Sequence, residues 1–368
     1  MMSAETKSSQ RPAVDWRILF FCAFGGLVGV AILFFATREP HGSSADESSP
    51  ASGSLSVPSD SPAGKDETMV PAQREEAPPE KKDEVYRVSV SLTASFYTTF
   101  SENPSIAQVA QETGIGNLAE RLSAHVARNL MWLVDMRREV YPGDTLDFLF
   151  RVVPPNERIN RPDLPDEVEL LALSYQSVKL GREVRFYQFQ ASNWPFPAFY
   201  YVDGRRVEKM MKNPPIKAWI QITSLLRDRR PRHDGLDFKA PIGTPVYAPW
   251  GGVVERVNWN VRYNGKSLLA RLDTNPPVWM ILLHLDKVLL KPGQRFAAGD
   301  HIANVGNTGR SFAPHLHYQL QYDGPKSRRI IDPLQYHGTE ERRLLPQDET
   351  AFRTKVMAYD AIFNAEAQ

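Results

Sequence analysis

The sequence predicts a mainly β domain over residues 227–340, preceded by an α+β region and one N-terminal transmembrane helix. Three observations predict it. From Thr244 onward, short apolar runs alternate with Gly and Pro punctuation: TPVYAPWGGVVERV, SLLARLD, VWMILLHL, DHIANVG and HLHYQLQY. That is the pattern of a compact antiparallel sheet with a groove. Upstream, Leu118, Leu122, Val126, Leu130 and Leu133 recur at helical spacing. Nearer the N-terminus, Ile18 to Ala36 is a run of 19 uncharged residues rich in Phe, Leu, Ile and Val, enough to span a bilayer as a helix.

The elements follow in chain order. Lys7, Arg11 and Arg17 precede the apolar run, so residues 1–17 are expected in the cytoplasm and the remainder outside. Phe34 stands where signal cleavage before the next segment would want a small residue, so residues 18–36 read as an uncleaved anchor. Cys22, the only cysteine, lies within that span, and no disulfide is expected in the outer portion. Residues 37–84 are dominated by Ser, Pro, Ala, Gly and charge. Such a stretch cannot bury enough apolar surface to fold, and it reads as a linker of mean span on the order of 40 Å.

Residues 85–226 become globular in composition. VSVSLTASFYTTF and SIAQVAQETGIG read as two short helices, and a longer helix starts at Asn117, with Asn117 and Glu120 spaced as a capping box. It stops before the turn Tyr141-Pro142-Gly143-Asp144. TLDFLFRVV, EVELLALSYQSV, EVRFYQFQ and AFYYVDG are expected strands, and Asp203-Gly204 predicts a type I′ hairpin. At the other end, residues 341–368 contain AFRTKVMAYDAIF, with Phe352, Val356, Tyr359 and Phe363 on one helical face. That face is expected to pack against the body of the protein.

The net charge is +1, which argues against nucleic acid as a partner. SIAQVAQETGIGNLAERL has the loose outline of a helix-turn-helix, but the topology places it outside the cytoplasm. The histidines are more specific. The chain has eight, and four fall in three segments: HDGLD with His233 and Asp237, ILLHLD with His284, and APHLHYQL with His315 and His317. Side chains alternate along a strand, so His315 and His317 face one way, as do His233 and Asp237. Two such strands side by side gather two imidazoles and a carboxylate, the ligand count of a catalytic zinc site with a fourth position open to water. His41, His125, His301 and His337 stand in no such pattern.

At these residues the chain resembles the LytM or lysostaphin-type zinc metallopeptidases, which cleave peptidoglycan peptides. The pattern runs in order through His233-Asp234-Gly235-Leu236-Asp237, Ala240-Pro241-Ile242-Gly243-Thr244-Pro245-Val246-Tyr247-Ala248, His284-Leu285, Gly306-Asn307-Thr308-Gly309 and His315-Leu316-His317. The resemblance implies that His233, Asp237 and His317 bind zinc, that His284 and His315 are catalytic histidines beside the metal, and that the domain has the LytM-like, duplicated-hybrid-motif β fold. The chain departs from the family pattern at Ser311-Phe312-Ala313-Pro314, at Leu282, at Gln319 and in a short segment before His233. These positions bear on the substrate groove and leave the metal positions filled.

The order of a helical piece, a PGD turn, a small β-domain and then the metallopeptidase is similar to multidomain cross-link-cleaving murein endopeptidases. That resemblance implies a D-alanyl–diaminopimelate endopeptidase with peptidoglycan as partner, held by a single-pass anchor in the cell inner membrane with its catalytic domain in the periplasm. It also implies that residues 85–226 regulate the enzyme or bind the wall. Some LytM-type domains have lost their ligands and activate other cell-wall hydrolases; here all five positions are filled, which favours an enzyme.

Overall fold

The computed structural model describes residues 84–159, 167–228, 232–324 and 329–365. The expected cytoplasmic segment, the anchor at residues 18–36 and nearly all of the linker lie outside them. Among the described residues, no helix is long and apolar enough to cross a membrane.

Among the described residues, the first element is β1 (Val85–Ser91), where a helix was expected. Val88 and Val90 are buried while Ser89 and Ser91 face out, a two-residue period that only a strand can satisfy. Helix begins at α1 (Phe96–Ser101), where the Ser95 hydroxyl accepts from Thr98 N. In α2 (Pro104–Thr113), Asn103 caps the N-terminus and Gly114 closes the C-terminus at φ 73°. In α3 (Leu118–Leu130), Leu118, Leu122, Val126 and Leu130 form the buried stripe. The capping box is not made. Asn117 has φ −112° and ψ 28°, outside the extended region a capping residue needs, and its side chain instead accepts from Arg121 Nε at 2.8 Å.

Next come β2 (Thr145–Val152), α4 (Pro155–Ile159), β3 (Val168–Ser177), β4 (Arg182–Phe189) and β5 (Ala198–Tyr201). The first five strands form an antiparallel sheet in sequence order. The turn before β2 is pinned by Asp144, fully buried, which accepts from Tyr141 N, Tyr175 OH and Val178 N at 3.0, 2.6 and 2.7 Å. The hairpin after β5 forms, but Gly204 carries the positive φ of 78° and Asp203 does not, so it is not type I′, which needs both.

A second sheet carries the histidines. The elements of this part of the chain are β6 (Met210–Met211), β7 (Gln221–Ser224), β8 (Leu236–Lys239), β9 (Pro245–Tyr247), β10 (Gly252–Val257), α5 (Val261–Asn264), β11 (Lys266–Leu272), β12 (Trp279–Leu285), β13 (Lys287–Val288), β14 (Arg295–Phe296), β15 (His301–Asn304), β16 (His315–Gln321) and β17 (Ile330–Ile331). The main path runs β14-β10-β11-β12-β16-β8-β7, with β17 on β16; β13-β15-β9 form a small separate sheet and β6 pairs with a later strand. One face packs over Phe238, Leu268, Leu282, Leu316 and Tyr318, all fully buried. This core also takes Trp194, Met210, Ile216, Trp219 and Ile222 from upstream of residue 227.

The chain then forms α6 (Pro333–His337), β18 (Thr339–Glu340), which pairs with β6, and α7 (Pro346–Asn364). Phe352, Val356 and Phe363 of α7 are buried, as the sequence predicts, and they pack on the first sheet against Leu149, Leu171, Tyr187 and Tyr200. The first sheet is thus covered on both sides, by α1–α3 on one and α7 on the other, which explains why β3 is buried along nearly its whole length.

His337 ends α6. Its Nδ1–H donates to Lys212 O at 3.0 Å, and Tyr318 OH donates to its Nε2 at 2.7 Å. Burial holds this imidazole down to about 4, well below an ordinary histidine. Since the folded value is depressed, the stability it contributes is present above the unfolded value of about 6.5 and is lost as pH falls toward about 4. Melting temperature should fall across that window, and His337→Gln should flatten the slope.

Candidate active site

The central strand of the site is β16. His317 lies opposite Asp237 of β8 on one side and opposite Leu283 of β12 on the other. Lys239 lies opposite His315, so Asp237, Lys239, His315 and His317 share the sheet face away from the core. His233 is not on that strand, contrary to the expectation. It sits in the loop before β8, and Gly235 lets the loop fold back over β16. A Cβ at Gly235 would stand 2.5 Å from Tyr318 O and 2.9 Å from His317 Cε1.

His233 Nδ1–H donates to Leu225 O at 2.9 Å, so its Nε2 is the lone-pair nitrogen. That Nε2 lies 3.0 Å from Asp237 Oδ1 and 3.1 Å from His317 Nδ1, and the last two atoms are 2.9 Å apart. His317 Nε2 faces Gln319 Oε1 at 3.4 Å. Each imidazole therefore turns one nitrogen to a tethering acceptor and the other to the cluster, the arrangement that orients metal-bound histidines. All three residues are buried. Burial alone would push the Asp237 carboxyl up, but the adjoining His233 and His317 imidazoles outweigh it and hold the carboxyl well below its usual range.

This donor set fits zinc. Tetrahedral ligands at about 2.0–2.1 Å from zinc stand about 3.3 Å apart, close to the triangle seen here. Two neutral imidazoles and one carboxylate are borderline-soft donors suited to that ion.

The other two expected histidines join the same site. The His315 and His284 rings are 4.7 Å apart, His284 is 6.4 Å from the His317 ring, and His315 Nε2 is 3.8 Å from Asp237 Oδ1. His284 occupies a β-bulge of β12 at φ 63°, and that bulge swings it into the cluster. Its Nδ1–H donates to Thr308 O at 2.9 Å, and His315 Nδ1 meets Ala313 O at 2.8 Å. Burial, with help from His315, lowers His284 to about 4, so it is neutral near pH 7 with its lone pair on Nε2.

Three residues of the site were not singled out for the roles they have here. Thr308 aims its carbonyl at His284 because its hydroxyl donates to Leu285 O at 2.7 Å and accepts from Lys266 N at 2.9 Å. Gly309, at φ 76°, packs so tightly that a Cβ would stand 2.2 Å from Gly265 N. Gln319 tethers His317 at the place where the family pattern often has Glu. The GNTG turn was the available signal for the first two, though nothing in it reveals which carbonyl holds which imidazole. His301 pairs with Asn304, outside the site.

Residues 231–330 match the model of Peptidase family M23. The Vibrio cholerae protein named peptidoglycan DD-endopeptidase ShyB is 31% identical over 202 residues, covering 50% of this chain and 46% of its own. ShyC of the same organism, also named a peptidoglycan DD-endopeptidase, is 26% identical over 247 residues, covering 64% and 54%. A crystal structure titled as a zinc-containing peptidase from Vibrio cholerae is 26% identical over 68% of this chain and 71% of its own, with a TM-score of 0.29. The chain spans about half the length of the curated relatives it matches. Residues 231–330, where the His-Asp-His cluster lies, are thus similar to the peptidase domain of family M23, a family of zinc metallopeptidases.

Proposed function

We propose that the protein is a zinc-dependent peptidoglycan endopeptidase that cuts peptide cross-links, with His233, Asp237 and His317 as metal ligands and His284 and His315 as catalytic residues. The observation that carries this is the convergence of three buried ligand atoms within 4.8 Å of one another, with two further imidazoles against them. When bound, zinc supplies Lewis acidity and lowers the pKa of a coordinated water toward neutrality. His284, neutral and tethered through Nδ1, presents a base at Nε2. His315, tethered to Ala313 O, holds a proton-transfer nitrogen 3.8 Å from the Asp237 carboxylate. Together they can take the proton of the attacking water, return it to the leaving amine and stabilise the tetrahedral oxyanion.

The Vibrio relatives named peptidoglycan DD-endopeptidases support a peptidoglycan peptide bond as the target, and the proposed bond is the D-alanyl–diaminopimelate cross-link. The periplasmic placement and the inner-membrane anchor belong to the same proposal and rest on the apolar run at residues 18–36. The test is digestion of purified sacculi with and without a chelator, read by mass analysis. Cross-linked dimers should fall to monomers with glycan intact, and the chelator should stop it. Free stems with naked glycan would indicate an amidase. Sacculus binding with no new fragments would support the second reading, a module that activates another hydrolase.

A further inference from the structure

The face of β16 that carries His315 and His317 continues through Gln319 and Gln321, because side chains two residues apart on a strand point the same way. Gln321 is 1% exposed and Gln319 is half-buried. The two carboxamides form a chain of hydrogen bonds that starts at the backbone and ends at His317. Gln321 Nε2 donates to Gly324 O. Gln319 Nε2 donates to Gln321 Oε1 at 2.7 Å. Gln319 Oε1 then faces His317 Nε2 at 3.4 Å.

The direction of this chain is fixed from its far end. A carboxamide can turn either its oxygen or its NH2 to a neighbour, but a backbone carbonyl only accepts. Gly324 O therefore holds the NH2 of Gln321, which leaves Gln321 Oε1 to receive the NH2 of Gln319. Gln319 then has its oxygen to offer His317. An oxygen that only accepts calls for the N–H at His317 Nε2 and so puts the ring's lone pair on Nδ1. That Nδ1 is the atom 2.9 Å from Asp237 Oδ1 and 3.1 Å from His233 Nε2. Leu225 O holds the His233 proton on Nδ1 in the same way. The triangle thus gathers three lone-pair atoms, an arrangement that a cation satisfies.

We propose that Gln319 and Gln321 are positioning residues for the metal, a directed amide relay that commits His317 to ligation through Nδ1. The proposal rests on the metallopeptidase reading of the triangle. Gln319 is the tether and Gln321 aims it. A reversed amide at Gln319 would point an N–H at the imidazole and call for the lone pair on Nε2, the wrong side of the ring. A carboxylate at position 319 would accept from either oxygen and would need no neighbour to aim it. The carboxamide pair supplies the tether without adding a second negative charge beside Asp237.

The experiment measures zinc affinity of the metal-stripped full-length chain by competition with a chelator. Gln319→Leu should bind zinc about tenfold to a hundredfold more weakly than the wild type, the usual cost of losing a group that orients a ligand. Gln319→Glu restores an acceptor and should recover the affinity. Gln321→Leu should weaken zinc several-fold, because Gln319 can then present its NH2 to the ring. The same Gln321→Leu change on the Gln319→Glu background should cost nothing, because a carboxylate has no wrong face. A packing role for Gln321 would weaken both backgrounds alike, and that result would overturn the relay, as would wild-type affinity in Gln319→Leu. If Gln321→Leu does not fold, loss in Gln319→Leu with recovery in Gln319→Glu supports the tether, and equal affinity in the two overturns it. A wild type that takes up zinc and digests sacculi while every variant matches its affinity would sink the relay and leave the peptidase reading. A wild type that takes up no zinc would sink both.

Discussion

If the proposed function holds, replacing His317 by alanine should empty the metal site and abolish hydrolysis, and His233→Ala and Asp237→Ala should do the same. The three ligand atoms stand 2.9–3.1 Å apart, and among the described residues they form the only group of three or more that could hold an ion. Four-ligand zinc sites are worth about 10–16 kcal/mol, so each ligand carries on the order of 3 kcal/mol, or at least a hundredfold in affinity. With three protein ligands, loss of one leaves two donors. Metal content by mass spectrometry should fall below stoichiometry in each purified variant, with sacculus digestion reduced to background. Thermal melts separate this from unfolding, because removing a histidine leaves Asp237 a buried carboxylate short of a partner. Stoichiometric zinc in all three folded variants would end the ligand assignment.

Removing either flanking imidazole should give the opposite signature: zinc retained, turnover lost by roughly 10²-fold or more. His284 and His315 are tied through Nδ1 to backbone carbonyls, not to the ligand triangle, so the triangle survives their loss. His315→Ala tests one directly. At His284 the backbone sits at φ 63°, where alanine is strained and asparagine is better tolerated, so His284→Asn is the cleaner variant. A wild-type rate in either would remove that residue from the mechanism, and loss of zinc would make it a ligand.

The metal triangle was legible because its spacing is local. HxH on a strand places two imidazoles on one face, and HxxxD brings a carboxylate and a third imidazole close in sequence. The route taken by His233 was not legible. It reaches the triangle through a loop crossing at Gly235, where clearance from Tyr318 O decides the path, and that clearance exists only after β8 and β16 pair. The φ of His284 and the aim of the Thr308 carbonyl likewise depend on pairing between distant strands. In the α+β region, the four strands from Thr145 to Tyr201 and the stripe of α3 followed from periodicity. β1 did not, because Val88 and Val90 were read together with the helix that starts only at Phe96. Asn117 fitted a capping pattern, but its backbone dihedrals place the side chain elsewhere.

The docking of α7 on the first sheet sets an order of events during synthesis. β1 to β5 emerge early, yet the apolar face formed by Leu149, Leu171, Tyr187 and Tyr200 has its cover in Phe352, Val356 and Phe363. Arg87 of β1 donates to Ile362 O and Ala365 O at 3.0 and 2.7 Å, and Asp360 accepts from Arg185 and Tyr187 at 2.9 and 2.7 Å. Until residues 346–364 are made, that face stays wet and open to wrong partners, the hazard of late long-range contacts. The first sheet is completed only after the histidine-bearing sheet has been synthesised in full. A chain stopped by a premature termination codon near residue 345 would still contain every residue of the ligand triangle. It would leave the sticky side of its first sheet bare and be lost to aggregation or proteolysis despite an intact triangle.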